Sequence, residues 1–277
     1  MTASTLRPSP IALPRARTAA DEALGLSILY IGPPKSGKTT CALSFPDPFV
    51  FYFEPNLAGL RASNPTPPYL LVDDMKPEPI AALQQQILPA IAAGRIGELT
   101  DRPVKTLVFD SLTVLLGEHL SKKIRGAKDA LKGFDDFGMF LYAAENLISG
   151  QLTPLCRRGF NVVATVHLAE YGGGDEPSTR RPSIPGNFRN ILCSRFDAVL
   201  LTGSELAARK VRGPNGTESV VREPDYFVQT INPDRSYEGI GDGLGRTGGH
   251  FRTLPPKLDG RYPSLATAWG LDTKPAI

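Results

Sequence analysis

Apolar residues in this chain fall into short continuous runs, separated by longer stretches in which they recur at helical intervals. Leu26-Ser27-Ile28-Leu29-Tyr30-Ile31, Phe49-Val50-Phe51-Tyr52-Phe53, Tyr69-Leu70-Leu71-Val72, Thr106-Leu107-Val108-Phe109 and Phe160 to Val166 are runs of this kind. An unbroken apolar run of such length suits a strand covered on both faces. Between the runs, Ile80, Leu83, Ile87 and Ile91 keep a helical period from Pro79 to about Ala93, with Pro89 placed to kink it. Leu112 to about Leu120 forms a second helical stretch. Phe137 to about Leu152 forms a longer third, with Phe140, Ala144, Leu147 and Ile148 on one side. Phe196 to Leu201, Ser219 to Val221 and Tyr226 to Thr230 read as later strands, the first two joined across the turn-prone Gly213-Pro214-Asn215-Gly216. The alternation predicts an α/β fold, a mainly parallel sheet flanked by helices, with a C-terminal β-hairpin and an irregular tail.

The ends carry less pattern. Residues 1–24 hold Pro8, Pro10 and Pro14 with Arg7, Arg15 and Arg17 and no sustained apolar period, which predicts a mobile tail. Asn232 to Pro256 is Gly-rich and irregular, so the chain divides into a tail, one domain over 25–255 and a C-terminal extension over 256–277. At 277 residues the chain is long enough for one large core. Its net charge of +3 does not demand a polyanionic partner, so a nucleic-acid role has to rest on local clusters. Cys41, Cys156 and Cys193 are far apart without C-x-x-C spacing, which points to reduced thiols in the cytoplasm. No apolar stretch reaches bilayer length and no signal-peptide pattern opens the chain, so no membrane role is expected.

The chemistry begins behind the first strand. Gly32-Pro33-Pro34-Lys35-Ser36-Gly37-Lys38-Thr39-Thr40 is a complete G-x-x-x-x-G-K-[ST] phosphate-binding loop. It follows a strand, and Thr39 to Ser44 continues as a helix that Phe45-Pro46 stops, the order the motif needs. In that setting backbone N–H groups around Lys35 to Lys38 face the phosphates of ATP, Lys38 bridges the β- and γ-phosphates, and the Thr39 hydroxyl serves Mg²⁺. Asp110 ends the strand Thr106 to Phe109, where an acidic group reaches the metal side of a nucleotide site. A residue that orients the attacking water is also needed, and the position after Asp110, which holds a Glu in many ATPases, is Ser111. Glu54, at the end of Phe49 to Phe53, is the candidate, with Asp73 and Asp74 as rivals one strand further on. His167 closes the strand Phe160 to Val166, a place from which a polar side chain senses the γ-phosphate. His119 and His250 belong to no constellation, and no His/Cys ligand cluster is present in the sequence.

Taken together, the phosphate loop, Phe53-Glu54-Pro55-Asn56-Leu57-Ala58-Gly59-Leu60, Val108-Phe109-Asp110-Ser111-Leu112-Thr113, Thr165-Val166-His167, Pro185-Gly186 before Arg195-Phe196-Asp197-Ala198-Val199, and Asn232-Pro233-Asp234-Arg235 resemble the RecA-type ATPase core. They are most similar to small phage-encoded RecA-like, AAA-family ATP-binding proteins of the single-strand annealing and recombination group. The resemblance covers about residues 26–236, with Pro-Asn after Glu54 in place of Gly-Gly and Asn232-Pro233 in place of a basic residue before Asp234-Arg235. It implies a Mg²⁺-dependent ATP hydrolase acting on single-stranded DNA, a homo-oligomer in the host cytoplasm, with Arg235 of a neighbour completing the site and Arg246 as runner-up. It also implies DNA-contacting loops after the Asp110 helix and after the His167 strand. Lys122, Lys123, Arg125 and Lys128 lie in the first region. Arg180, Arg181 and Arg189, with Tyr171 and Phe188, lie in the second. Two other readings stay open, an ATP-dependent switch or assembly factor without DNA binding, and a nucleotide kinase.

Overall fold

A computed structural model of the chain describes residues 25–61, 65–76, 78–125, 131, 133–171, 179–212, 218–230 and 255–269. The apolar runs become parallel strands: β1 (Ser27–Gly32), β2 (Pro48–Tyr52), β3 (Tyr69–Leu71), β4 (Thr106–Asp110), β5 (Asn161–Tyr171) and β7 (Ala198–Arg212). They lie in the order β3-β2-β4-β5-β1-β7, which β8 (Glu218–Gln229) and β9 (Lys257–Asp259) extend with antiparallel pairings. A short β6 (Thr179–Pro182) folds back on the far end of β5 as a hairpin. This is the mostly parallel α/β core, with its late β7–β8 hairpin, that the alternation of elements predicts.

Both faces of the sheet are buried, and the strands divide their residues between them. Leu29, Ile31, Phe51, Phe109, Ala164 and Val166 point to one apolar cluster, and Ile28, Tyr30, Val50, Val108 and Val163 to the other. The alternation follows from the two-residue repeat of a strand, and the apolar content of both sets explains why the runs look continuous in the sequence. Helices α3 (residues 79–92), α4 (residues 112–125) and α5 (residues 133–156) cover the first face. Helix α1 (Lys38–Leu43), α2 (Ala58–Arg61) and a last helix cover the second.

Several boundaries differ from expectation, among them β7, which runs on to Arg212, and α4, which runs on to Arg125. Helix α5 starts at Gly133 and continues past Leu152 to Cys156. Pro154 enters it just after a π-helical turn over Ile148–Leu152, as Pro89 enters α3 after a π-helical turn over Leu83–Ile87. The wider turn accommodates a residue that lacks an N–H donor. Ser219 to Val221 and Tyr226 to Thr230 are not separate strands: β8 runs from Glu218 to Gln229 through Pro224. Pro224 opposes Leu206 of β7, whereas β9 pairs with Phe227–Gln229, so among the described residues the proline stands where β8 has a neighbour on one side. Finally, β5 does not stop at Val166 but continues to Tyr171, which places His167 within the strand.

Residues 257–269, for which no sequence pattern gave a signal, brace the nucleotide loop from behind. After α6 (Phe188–Ile191), the next α-helix among the described residues, α7 (Tyr262–Trp269), buries Leu265, Ala266 and Trp269 beside α1. Tyr30 donates to Gly260 O at 2.7 Å, Tyr262 N donates to Ser44 Oγ at 2.8 Å, and the Phe45 and Tyr262 rings lie 4.8 Å apart. Gly260 passes so close to α1 that a Cβ there would meet Cys41 Sγ at 2.7 Å. Cys41, Cys156 and Cys193 are free and buried. Among the described residues no helix is long and apolar enough to cross a membrane. Residues 1–24, on which the predicted tail falls, lie outside the described residues.

Candidate active site

The loop between β1 and α1 is built around two close approaches. A Cβ on Gly32 would meet Thr202 Oγ1 at 2.1 Å and Ser36 Oγ at 2.6 Å, because Thr202 of β7 reaches across to the loop. Its hydroxyl donates to Ile31 O at 3.1 Å and pairs with Ser36 Oγ at 2.6 Å. With Thr202 donating to Ile31, Ser36 is the donor in that pair, and the buried loop is stitched to β7. Gly37 has φ 87°, a left-handed conformation that favours glycine, and the Tyr226 ring of β8 packs where its Cβ would be. Pro33, Pro34 and Lys35 are exposed at the rim, Ser36 and Lys38 are buried, and Thr40 is exposed on α1. Lys38 Nζ donates to Gly32 O at 2.9 Å and Pro33 O at 2.7 Å. The ammonium is thereby held over the loop by carbonyls, which are weaker acceptors than charged phosphate oxygens would be.

Asp110 lies at the carboxyl end of β4 with 3% of its surface exposed. The Thr39 hydroxyl donates to Oδ2 at 2.8 Å, and Thr165 of β5 donates to Oδ1. Asp110 does not cap α4, since that position belongs to Ser111, whose Oγ accepts from Val114 N at 3.4 Å. The peptide bond between Asp110 and Ser111 is cis. Ser111 also donates to Glu54 Oε1, and His167 Nε2 meets the same oxygen at 3.0 Å. His167 sits opposite Gly32 in the β1–β5 register, its own N–H donating to Thr113 Oγ1 at 2.9 Å. Among the described residues its Nδ1 is buried without a hydrogen-bond partner, and Nε2 is the ring nitrogen that faces Glu54. The structure thus brings Lys38, Thr39, Asp110, Glu54 and His167 to one end of the central strands. Asp73 and Asp74 are exposed in a short turn after β3, with β2 between them and β4.

The electrostatics follow from burial and from these bonds. Burial lowers the Lys38 ammonium to about 8, although Asp110 and Glu54 draw it upward. Burial likewise raises the Asp110 carboxyl above its ordinary range, against the hydrogen bonds from Thr165 and Thr39. For Glu54, burial pushes upward too, yet the hydrogen bonds from His167 and Ser111, with the electrostatic pull of His167 and Lys38, outweigh it, and the carboxyl ends below its usual value. Glu54 is therefore an ionised acceptor near neutral pH, beside a cation and one strand from Asp110.

A family model of the AAA domain matches residues 24–224, from the start of β1 into β8. The chain belongs to the AAA-domain family. Membership makes this a nucleotide-binding domain of the AAA/P-loop ATPase type, in agreement with the loop geometry. No curated protein matches the chain. Within the AAA domain, the Thr39 hydroxyl and the Asp110 carboxylate fit Mg²⁺, a hard cation that takes few protein oxygens and completes its shell with water and phosphates. Among the described residues no group of three or more His, Cys, Asp and Glu could hold a metal by itself.

The residues expected to meet DNA are less concentrated than their sequence suggests. Lys122 pairs with Glu118 at 3.9 Å, Lys123 with Glu78 at 3.5 Å, Arg125 with Asp136 at 2.8 Å and Arg180 with Glu170 at 3.8 Å. Tyr171, near the end of the β5–β6 hairpin, has Arg181 at 5.2 Å and Arg189 at 5.7 Å from its ring centre. Lys128, Arg235 and Arg246 lie outside the described residues. Sequence reasoning missed Thr165, Thr202, Ser111 and Tyr226. The first two had a signal, because a hydroxyl inside a strand buried on both faces needs a partner. Tyr226 had none, since only the fold brings β8 beside Gly37.

Proposed function

We propose that this AAA-domain protein is a Mg²⁺-dependent ATP hydrolase in which Glu54 is the general base. What carries the reading is the Glu54 carboxylate, ionised, held by His167 and Ser111, and within the electrostatic reach of Lys38 and Asp110. Lys38 leaves the carbonyls of Gly32 and Pro33 to neutralise the β- and γ-phosphates, and the loop amides from Lys35 to Lys38 bind their oxygens. Thr39 and Asp110 would hold Mg²⁺, which when bound would supply charge stabilisation to the phosphoryl oxygens. Glu54 accepts the proton of the water that attacks the γ-phosphorus while the bond from that phosphorus to the β–γ bridging oxygen breaks and ADP leaves, and His167 registers the γ-phosphate through its bond to Glu54. Ser36 and Thr202 keep the loop open, and Pro33, Pro34 and Thr40 complete its rim.

The proposal extends to single-stranded DNA, in recombination, annealing or replication, with the cycle run by a homo-oligomer to which a neighbour contributes Arg235. Support comes from the β5–β6 hairpin, whose pairing begins at Leu168 directly after His167 and which carries Tyr171 with the Arg181 and Arg189 guanidinium groups near its ring, an aromatic and cationic grouping of the kind that meets bases and phosphates. The carboxylate pairing of Lys122, Lys123, Arg125 and Arg180 favours a second reading, an ATP-dependent switch or assembly factor that does not bind DNA. ATP hydrolysis measured alone, with single-stranded DNA and with nucleoside monophosphates separates them. Stimulation by DNA, weakened in Tyr171→Ala, supports the first reading. A DNA-indifferent rate supports the second, and phosphorylation of a monophosphate replaces both with a kinase.

A further inference from the structure

We propose that Ser111 is a positioning residue for hydrolysis, which holds Glu54 by Oε1 so that Oε2 faces the attacking water. The proposal rests on the reading of Glu54 as base. Ser111 Oγ has one proton to give and is surrounded by two groups with opposite needs. Val114 N donates to one of its lone pairs at 3.4 Å, and because the ionised Glu54 carboxylate has no proton to give, the Ser111 proton goes to Glu54. The hydroxyl thus links the start of α4 to the carboxylate. The backbone reinforces the arrangement, because Phe53 N donates to Asp110 O at 2.7 Å and ties the residue before Glu54 to the residue before Ser111. Ser111 itself is fully buried, so water does not compete for its proton.

On the carboxylate the consequence is asymmetric. Oε1 receives both Ser111 and His167, whereas Oε2 has no hydrogen-bond partner among the described residues. The side chain of Glu54 keeps 24% of its surface exposed, enough for a water to reach the free oxygen. A glutamate side chain has three rotatable bonds, and two donors on one oxygen select one orientation among many. Ser111 occupies the sequence position at which many ATPases carry the base itself. Here that position supplies the hydroxyl, and the adjoining strand supplies the carboxylate. Since Ser111 directly follows Asp110, the same turn holds the metal-side carboxylate and orients the base.

A purely structural Ser111 would cap α4 and nothing more, so the test separates capping from positioning. Ser111→Gly retains most of the value of a capping position while losing the hydroxyl, Ser111→Ala loses both, and Ser111→Thr keeps both. The expected result is a fall in kcat of about 10- to 100-fold in Ser111→Gly and Ser111→Ala, with KM for ATP and ATP affinity within about twofold of the parent. Ser111→Thr recovers most of the rate, and thermal denaturation confirms that the variants are folded. Parental kcat in folded Ser111→Gly overturns the proposal. So does a loss expressed in KM and affinity instead of kcat. Glu54→Gln measured alongside keeps the two claims apart: if it turns over at the parental rate the base assignment falls and this proposal with it, whereas an inert Glu54→Gln beside a parental Ser111→Gly removes positioning alone.

Discussion

Replacing Thr165 with valine removes one hydroxyl from beneath Asp110 and leaves the shape of β5 almost unchanged. Thr165 is fully buried, lies one residue beyond the Phe109–Ala164 pair of the β4–β5 register, and donates to Asp110 Oδ1. A hydrogen bond to a charged acceptor contributes about 1.5–3 kcal/mol, and the added methyl group returns on the order of 0.5–1 kcal/mol of burial. The net loss is then about 1–2 kcal/mol, which for a domain of this size lowers Tm by roughly 2–8 °C. Because burial already raises the Asp110 carboxyl, its charged form is the one that needs the donor. As pH falls through the raised value Asp110 protonates and both proteins shed the cost of a buried charge, while the gap between the parental protein and Thr165→Val narrows because the Thr165 bond favours the charged form. Thr39 remains as a donor on Oδ2, so the carboxylate stays in place but turns more freely, and the Mg²⁺ concentration for half-maximal hydrolysis rises several-fold. Thermal melts across pH and a Mg²⁺ titration of ATPase rate test this. Equal Tm at neutral pH together with equal Mg²⁺ dependence would refute the reasoning.

Lys38 supplies a second expectation, since its ammonium is lowered to about 8 from an ordinary value of 10.5. A lowered lysine is neutral more readily in the folded protein than in the unfolded chain. Its buried charge therefore opposes folding below about pH 8, and that opposition fades as pH rises through this value. Phosphate needs the charged form, so ATP affinity declines above about pH 8 and binding there takes up protons, measurable by calorimetry in buffers of different ionisation enthalpy. Lys38→Ala should bind weakly with little pH dependence and hydrolyse ATP far below the parental rate; parental hydrolysis in that variant would exclude the loop as the working site. Gly32→Ala places a methyl group 2.1 Å from Thr202 Oγ1 and 2.8 Å from Thr202 O. It should lose nucleotide binding and about 1–3 kcal/mol of stability. Thr202→Ala relieves only the side-chain clash, so the double variant recovers in part; full ATP binding by Gly32→Ala alone would contradict the close approach.

The parts of this site that are local in sequence were the legible ones. A phosphate loop states its own chemistry in nine consecutive residues, Gly32 to Thr40, and the flanking apolar run and helix give its context. Asp110, Glu54 and His167 were legible for another reason. Each stands where an apolar run ends, and in a parallel sheet those ends share one edge. The order of β2, β4, β5 and β1 then brings them together. What escaped was long-range pairing. Nothing in Ser111 announces a bond to Glu54, because the two are 57 positions apart and meet only through the β2–β4 register. Arg222-Glu223-Pro224-Asp225 looked like an interruption, yet among the described residues this part of β8 has a neighbour on one side, where a strand tolerates a proline and charged residues that a central strand would not. Residues 257–269 gave no period long enough to read, and their packing on α1 depends on Tyr30, Phe45 and Ser44 at the other end of the chain.

The most direct measurement is single-turnover ATP hydrolysis in saturating Mg²⁺, run on the parental protein and on Glu54→Gln together with nucleotide binding by each. Glutamine keeps the size of the side chain and an oxygen for Ser111 and His167, but it cannot take a proton from water. The parental protein should convert bound ATP to ADP and phosphate, while Glu54→Gln binds ATP with comparable affinity and turns it over about 100-fold more slowly or less. Undiminished hydrolysis by Glu54→Gln, or none by the parental protein with ATP and Mg²⁺ bound, would contradict the account.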